Sequence, residues 1–353
     1  MKNLNVMAPI NSLGYGVASK NTTAFLNNFF DISLFTIGQP AFESQEEHNS
    51  FTKMIEKSRS SFDADAPCLK IWHEFDLGVR VGKGEMIAYS FFELNKMNDI
   101  KKHNLSQCEK VVVASEWAKD IVETETGHKN VYVAPLGVDH TVFFPTDQIQ
   151  EKFIVFNCGK WEIRKGHDII LEVFRSAFPD NKDVELWMMC QNPVAPPEYN
   201  QQWNSHYKKD LRVNLIDRVQ NHHQLAQIMN QTSCGLFPSR AEGWNLELLE
   251  MMACGKPVIT TDYSSHTQFC TDENSIKFKP SKFEEARDGV FFQGGEGEWA
   301  SLDEIKRDMA EALRHLYEQW KTDKKIMNQS GVMSAQKLNW LNTAEKVRDA
   351  INA

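Results

Sequence analysis

No apolar run in this chain approaches the roughly 18–20 residues that a bilayer-spanning helix needs, so a helical membrane protein is not expected. The opening stretch "MKNLNVMAPINSLGYG" has one lysine and then a short strand-like run, which does not read as a signal peptide. Cysteine is sparse and unpatterned, with seven residues, an odd number, and no C-x-x-C pair. That argues against a disulfide framework or a zinc site, and for reduced core thiols in a cytoplasmic protein. Positive charge is in deficit: Lys and Arg total 39 against 48 Asp and Glu, for a net charge of −9. The chain as a whole therefore has no attraction for nucleic acid or anionic lipid, although a local basic patch stays open. The N-terminal region also lacks a strong amphipathic basic helix, which weakens a role at a membrane surface. Short-period repeats and low-complexity tracts are absent. So are a DxD-type acid pair at a strand end and any His/Asp/Glu spacing suited to a mononuclear metal, and no metal is expected.

What is present is ordinary soluble composition, 41% hydrophobic and 25% charged, in a chain of 353 residues, long enough for two domains with their own cores. Strand-like and helix-like segments alternate from the start. "LNVMAP" is followed by helical "GVASKNTTAFLNNF", then by "DISLFTIG", "LKIW" and "MIAYSFF". "KVVVAS" leads into a helix opened by Ser115, and "NVYVAPLG" is the next strand. Such alternation specifies a parallel α/β sheet. Periodicity lapses from Leu136 to Gln150, where a linker is expected. The alternation then restarts with "FIVFNCG", "GHDIILEVFRSAF", "VELWMMC", "HQLAQIMNQT", "CGLFPS" and "KPVITTD". A last helix is expected from about Ser334 to Ala353, after a break near Ser330 and Gly331. The organisation read from this is two doubly wound domains in series, 1–146 and 147–333, with a terminal helix over 334–353.

Ligands of open parallel sheets sit beyond the C-terminal ends of strands, where loops feed helix N-termini. Three such positions carry chemistry. After the first strand, Gly14 and Gly16 would let backbone N–H groups approach a phosphate. Ser19 stands where G-x-G-x-x-G needs its third glycine, and a tight turn without ligand fits the pair equally well. After the first strand of the second domain, "NCGKWEIRKGHD" places Lys160, Arg164 and Lys165 within six residues. They suit a diphosphate, or else form a solvated charged turn. The third position is "SRAEGWNLELLEMMACGKPVIT", in which a helix begins near Asn245 and stops before Gly255. Leu246, Leu249 and Ala253 mark an apolar stripe, with Glu250 in or beside it. A carboxylate there needs hydrogen-bond donors, which vicinal hydroxyls would supply. Glu242, in the loop ahead of the helix, is expected to point into the same crevice. The alternative is that one acid is solvated and the other caps the helix.

These residues carry a resemblance. "FPSRAEGWNLELLEMMACGKPVITTD" resembles the E-x7-E signature of glycosyltransferase family 4, whose members have the GT-B fold. "NCGKWEIRKGHDIILEVF" is similar to that family's G-R-x-x-x-x-K-G segment, with Lys160 in place of the usual arginine and Lys165 as the expected lysine. "KVVVASEWAKDIV", "VAPLGVDHTVFFP" and "NWLNTAEKVRDAI" resemble the end of its N-terminal domain, its linker and its final helix. The resemblance implies two Rossmann-like doubly wound domains facing a cleft, with the C-terminal helix crossing back to the N-terminal domain. It implies a retaining, metal-independent hexosyl- or pentosyltransferase that takes a nucleotide-diphosphate sugar and needs no further cofactor. Glu250 would accept hydrogen bonds from the ribose and Glu242 from the transferred sugar. Backbone N–H groups at Trp244, Asn245 and Leu246 would meet the distal phosphate beside Lys160 and Lys165, with Gly14 and Gly16 closing from the other domain.

One departure concerns the histidine that many members carry at the mouth of the cleft. "MIAYSFFELNKM" offers Glu93 in that segment, and His73 lies in "KIWHEFDLG" just before it. Either would contact sugar or acceptor. His222 and His223 are expected to be structural or solvated. The acceptor is open between a glycan, a lipid-linked glycan, a protein and a modified DNA base. An NAD-dependent oxidoreductase lacks the glycine fingerprint and leaves the E-x7-E stretch unexplained. A GT-B-type epimerase and a silent sugar-nucleotide-binding module are the nearer alternatives.

Overall fold

The computed structural model describes residues 1–353. The chain opens with β1 (Lys2–Ala8), α1 (Gly14–Leu26), β2 (Phe30–Thr36), α2 (Gln45–Ser60) and β3 (Cys68–Ile71). A 3₁₀ turn, Glu74–Asp76, leads to β4 (Met86–Ser90), α3 (Asp99–Ser106), β5 (Lys110–Val113), α4 (Glu116–Thr126) and β6 (Val131–Val133). The six strands form one parallel sheet in the order β2-β1-β3-β4-β5-β6. Leu4, Val6, Ile32, Leu34, Ile87 and Val112 are fully buried, as expected of strands covered by helices on both faces. Ser115 caps α4 by accepting from the Ala118 N–H, and left-handed Gly127 ends it.

After Gly137 the chain builds a second compact unit, Val138–Lys337. Its first part comprises β7 (Phe153–Gly159), α5 (His167–Ala177), β8 (Val184–Cys190), α6 (Pro197–Tyr207), β9 (Val213–Leu215) and α7 (His222–Gln231). Then come β10 (Cys234–Phe237), α8 (Leu246–Ala253), β11 (Val258–Thr261), a 3₁₀ turn at Ser264–Gln268 and β12 (Ile276–Phe278). An antiparallel hairpin of β13 (Phe283–Arg287) and β14 (Gln293–Ala300) precedes α9 (Lys306–Asp323) and α10 (Gln329–Gln336). Six of these strands make a second parallel sheet, β12-β11-β10-β7-β8-β9. Trp161, Phe153, Phe174, Tyr207 and Trp320 fill the core where α5 and α9 cover β7 and β8. All seven cysteines are buried and unpaired.

The last element, α11 (Trp340–Asn352), belongs to the first unit, which consists of Met1–Gly137 together with Leu338–Ala353. Lys110 Nζ donates to the Ile351 carbonyl at 2.9 Å and Thr343 Oγ1 to the Pro135 carbonyl at 2.7 Å. The final helix expected from Ser334 is thus two helices, and its break lies at Lys337–Asn339 rather than at Ser330 and Gly331. Gly331 does not break α10. Its N–H donates to the Asn328 side chain that caps the helix, and a Cβ at position 331 would collide with that side chain. Helices α2, α6 and α9 and the hairpin are additions to the order expected from the sequence, and α9 carries a regular apolar stripe of Met309, Leu313, Leu316 and Trp320.

Two points in these sheets fix where a ligand can sit. The strand order reverses between β1 and β3 in the first unit, and between β7 and β10 in the second. At such a point neighbouring loops leave in opposite directions and open a crevice beyond the strands' carboxyl ends.

Candidate functional site

In the second unit, the loop after β7 and the loop after β10 meet at the reversal point. Gly166 makes this possible: it is left-handed, and a Cβ there would strike the Pro238 carbonyl. Side chains from both loops form one ionic cluster. Glu162 receives Lys160 Nζ at 2.9 Å and Arg164 at 2.8 Å. Arg164 also reaches Glu242 Oε2 at 2.7 Å and the Ala241 carbonyl at 2.7 Å. Lys165 Nζ lies 3.0 Å from Glu242 Oε1 and 3.9 Å from Glu247. Ser239 Oγ donates to the same Glu242 oxygen at 2.8 Å.

Three cations therefore face three acids, so the cluster is balanced in charge rather than a bare cationic cradle. Burial alone would raise the Glu242 carboxyl, but Arg164 and Lys165 outweigh it and hold the group well below the usual carboxylate range. Burial would likewise lower the Lys165 ammonium, yet Glu242 and Glu247 hold it above the ordinary lysine value. Glu162 is depressed because Arg164 and Lys160 outweigh its burial. Of the cations expected to meet a diphosphate, Lys160 keeps a reachable ammonium, whereas Lys165 and Arg164 are buried.

Helix α8 starts from the same place. Asn245 is its cap, with φ 91° and ψ 78°, and its Oδ1 accepts from the Leu248 N–H at 3.2 Å. Trp244 packs against Phe269 with ring centroids 4.8 Å apart, and its buried indole N–H has no acceptor. Glu250 is buried on α8. Burial pushes up the Cys158 thiol, with smaller contributions from Glu247, Cys190 and Glu250, and Glu247 Oε1 reaches the end of β7 beside Gly159. The expected single apolar stripe on α8 is replaced by burial all round: Leu248, Leu249, Met251, Met252 and Ala253 are inside, and Leu246 is half-buried.

In the first unit, the loops after β1, β3 and β4 come together. Tyr15, between the two glycines, donates to the Phe91 carbonyl at 2.8 Å and accepts from the Phe91 N–H at 2.7 Å. Its ring lies 4.3 Å from that of His73, which stacks on exposed Phe75 at 4.9 Å. Burial and the charges of Glu74 and Glu93 push the Tyr15 hydroxyl up, which puts Glu93 in the same neighbourhood. Gly14 and Gly16 do different things. Gly14 opens α1 and is exposed, with free space around it. Gly16 is buried, and a Cβ there would collide with the Asn11 carbonyl and side chain. We expect Gly16→Ala to destabilise the first unit by about 1–3 kcal/mol through overpacking, despite the better helix propensity of alanine. Gly14→Ala, with room for its methyl, is the matched control, and urea midpoints that shift equally in both variants would refute the packing argument.

Several residues of the site escaped the sequence reading. Ser264 Oγ accepts from the Glu242 N–H at 2.8 Å, and the Ser265 N–H donates to the Glu242 carbonyl at 3.2 Å. His266 Nε2 lies 3.0 Å from Asn245 Nδ2. His167 Nδ1 accepts from the Glu162 N–H at 3.0 Å, fixing the β7 loop from below. Arg240 makes two 2.8 Å bonds to Asp168 and one of 3.3 Å to Glu284, tying α5 and the hairpin to the loop that carries Glu242. "DYSSH" follows β11, so reading that strand end as the others were read would have found Ser264 and His266. His222 opens α7 and packs edge-on against Phe143. No three His, Cys, Asp or Glu side chains converge on a point that could hold a metal ion.

Residues 152–290 match the family model of Glycosyl transferases group 1. A 157-residue stretch is 20% identical to the GDP-mannose-dependent alpha-(1-6)-phosphatidylinositol dimannoside mannosyltransferase of Mycobacterium tuberculosis, covering 42% of this chain and 40% of that protein. The chain thus spans about two fifths of the length of that curated relative. HepE of Anabaena, crystallised with UDP and glucose, is similar over 100% of both chains with a TM-score of 0.70 at 12% identity. A sucrose-phosphate synthase from Thermosynechococcus elongatus is similar over 99% of this chain and 98% of its own, with a TM-score of 0.66 at 13% identity. The two Rossmann-like parallel sheets are therefore those of the GT-B glycosyltransferase fold.

Proposed function

We propose that the chain is a retaining glycosyltransferase that moves a sugar from a nucleotide-diphosphate donor to an acceptor hydroxyl. The observation that carries this reading is the meeting, at the reversal point of the second sheet, of the α8 start with Lys160, Lys165, Glu242 and Glu250. The backbone N–H groups at Trp244, Asn245 and Leu246, which lead into α8, and the orphaned Trp244 indole N–H are donors suited to an anion. The charge-balanced cluster gives the diphosphate a specific task, to draw Lys165 from Glu242 and Glu247, with Lys160 meeting it first. Glu242 keeps one acceptor position for a sugar hydroxyl, since Arg164, Lys165 and Ser239 occupy three of the four sites of a carboxylate. Glu250 takes the ribose hydroxyls. In the first unit, Gly14, with open space around it, leaves the α1 start open to an anion, and His73 and Glu93 are assigned to sugar or acceptor.

In the reaction, the bond from the sugar's anomeric carbon to the leaving phosphate breaks. A bond to the acceptor oxygen forms on the same face, and the acceptor's proton passes to the departing phosphate oxygen. Stabilisation falls to Lys160, Lys165 and the helix start, which supply positive charge where negative charge develops. Transfer is accordingly expected to be metal-independent. Full activity in EDTA is the expected result, and loss that magnesium or manganese restores would overturn it.

Incubation with UDP-, GDP- and ADP-sugars tests the activity itself. Transfer or slow donor hydrolysis is expected, whereas epimer exchange alone would mark an epimerase and binding alone a silent module. Comparing host-cell glycans and DNA by mass spectrometry, with and without the gene, distinguishes a glycan acceptor from a modified DNA base. Glu250→Ala should weaken donor binding by about 1.5–3 kcal/mol, the value of charge-assisted bonds to two hydroxyls. Unchanged affinity in the folded variant would remove Glu250 from the ribose.

A further inference from the structure

Three non-glycine residues have left-handed backbone, Asn245 (φ 91°), Ser264 (φ 54°) and Lys324 (φ 54°). Lys324 is exposed at the end of α9, where such geometry closes a helix. The other two are buried in the second unit and flank the ionic cluster. A side-chain-bearing residue persists in this conformation only when its surroundings over-determine it. The structure shows what does so.

We infer that His266 is a positioning residue for the donor site, its Nε2 holding the Asn245 side chain so that the Asn245 backbone stays left-handed and the start of α8 stays aimed. This rests on the nucleotide-sugar reading of that site.

The hydrogen bonds run in one direction only. The Leu248 N–H can only donate, so the Asn245 atom that meets it at 3.2 Å is Oδ1, and Nδ2 faces His266. His266 Nε2, 3.0 Å away, must then accept, which puts the imidazole proton on Nδ1. The atoms around Nδ1 agree. The Thr261 carbonyl, at 3.1 Å, is an obligate acceptor. Thr260 Oγ1, at 3.0 Å, gives its own proton to the Phe237 carbonyl, and Thr261 Oγ1, at 3.4 Å, gives its own to the Ser239 carbonyl. Every neighbour of Nδ1 is free to accept. Only the neutral Nδ1–H imidazole satisfies the whole chain, and a second ring proton would set two donors face to face at Asn245. Burial, the largest cause, lowers the imidazole to about 4, in keeping with that neutral form.

The turn after β11 holds both ends of the loop that precedes α8. Ser264 and Ser265 bond the backbone of Glu242, and His266 bonds Asn245. Only Gly243 and Trp244 lie between. The left-handed Ser264 is what brings its Oγ back to the Glu242 N–H. Held at both ends, the loop presents the Glu242 carboxylate to Arg164 and Lys165 while the first N–H groups of α8 face the same crevice.

The test separates positioning from bulk stability. His266→Leu removes the acceptor. His266→Gln keeps an amide oxygen near the place of Nε2. Asn245→Gly adopts φ 91° without strain and has no side chain to be held. With UDP and GDP as calorimetric probes, His266→Leu is expected to weaken binding about tenfold, and His266→Gln to restore it to within about threefold of the parent. In the Asn245→Gly background, His266→Leu should change affinity less than about twofold, because the strained cap it served is gone. Tenfold losses in both backgrounds, or parental affinity in folded His266→Leu, would overturn the inference. Nitrogen-15 NMR of the His266 ring in the parent protein gives a readout independent of any nucleotide. A protonated Nδ1 and bare Nε2 are expected from pH 8 down to about 5, and an Nε2–H tautomer would sink the latch even if His266→Leu does not fold. If neither nucleotide binds the parent while the NMR signature holds, the donor reading has failed and the latch has not.

Discussion

Glu242→Ala is expected to destabilise the second unit by about 3–5 kcal/mol, the cost of leaving buried charges without a partner. Arg164, Lys165 and Glu242 are all nearly inaccessible, and Glu242 is the one acid that both cations share. Deleting it leaves Arg164 with Glu162 and Lys165 with Glu247 at 3.9 Å, too long to replace a 3.0 Å contact. The Ser239 hydroxyl and the Arg164 guanidinium lose acceptors at the same time. Because the three residues act as a unit, replacing Arg164 by methionine together with Glu242→Leu should cost much less than the sum of the two single changes. Urea unfolding of the four proteins measures this. A loss below about 1 kcal/mol for Glu242→Ala would show that the cluster adds little to stability. Any loss of transfer activity in Glu242→Ala has to be measured on the folded fraction, since an unfolded second unit mimics a missing catalytic group.

Acid should weaken this unit before it titrates most carboxylates. His167 and His266 are buried and neutral, with burial the first cause in each. The His167 imidazole is lowered to about 3 and that of His266 to about 4, against 6.5 for a free side chain. The sign follows from linkage: below pH 6.5 the unfolded chain takes up protons that the folded chain refuses, so stability falls as pH falls. Above that value both states are neutral and neither histidine contributes to pH dependence. At about 1.4 kcal/mol per pH unit for one proton, His266 alone accounts for roughly 3 kcal/mol between pH 6.5 and 4. Glu242, held below its ordinary value, acts in a lower window; its stabilisation is present above about pH 4.5 and is lost as pH falls toward its folded value. Denaturation at pH 7.5, 6 and 5 should show little slope above pH 6.5 and a slope approaching two protons between pH 6 and 5, falling by about one in His266→Gln. Equal slopes in the parent and in that variant would mean that His266 is charged or exposed in the fold.

The alternation of strands and helices was legible because the apolar run "FIVFNCG" is buried on both faces and "VELWMMC" alternates before it becomes fully buried. The α8 cap at Asn245 was legible for the same local reason, as a short polar residue before an apolar run. The state of Glu242 was not. Its partners Arg164 and Lys165 lie 78 and 77 residues upstream, and only the strand order, which brings β7 beside β10, makes them neighbours. Sequence reading treated the cations as three of a kind, yet the fold buries two and leaves one in reach. The left-handed backbone of Asn245 was hidden because its support, His266, arrives from another strand end. The β13–β14 hairpin was missed because its polar, glycine-rich strands resemble loop. It takes its place from contacts such as Arg240 with Glu284 and Tyr263 with Phe283.

Residues 338–353 leave the ribosome after the whole of Val138–Lys337, yet they complete the unit that emerges before it. During synthesis the whole of Val138–Lys337 is available before α11 exists, so the later unit can fold first and the earlier one must wait. Until then Lys110 lacks the Ile351 carbonyl, the Pro135 carbonyl lacks the Thr343 hydroxyl, and α1 lacks the helix that covers it. The nascent chain thus carries an incompletely covered first sheet while the whole of Val138–Lys337 is made. A premature stop near Leu338 would release a protein whose second unit is whole and whose first is not.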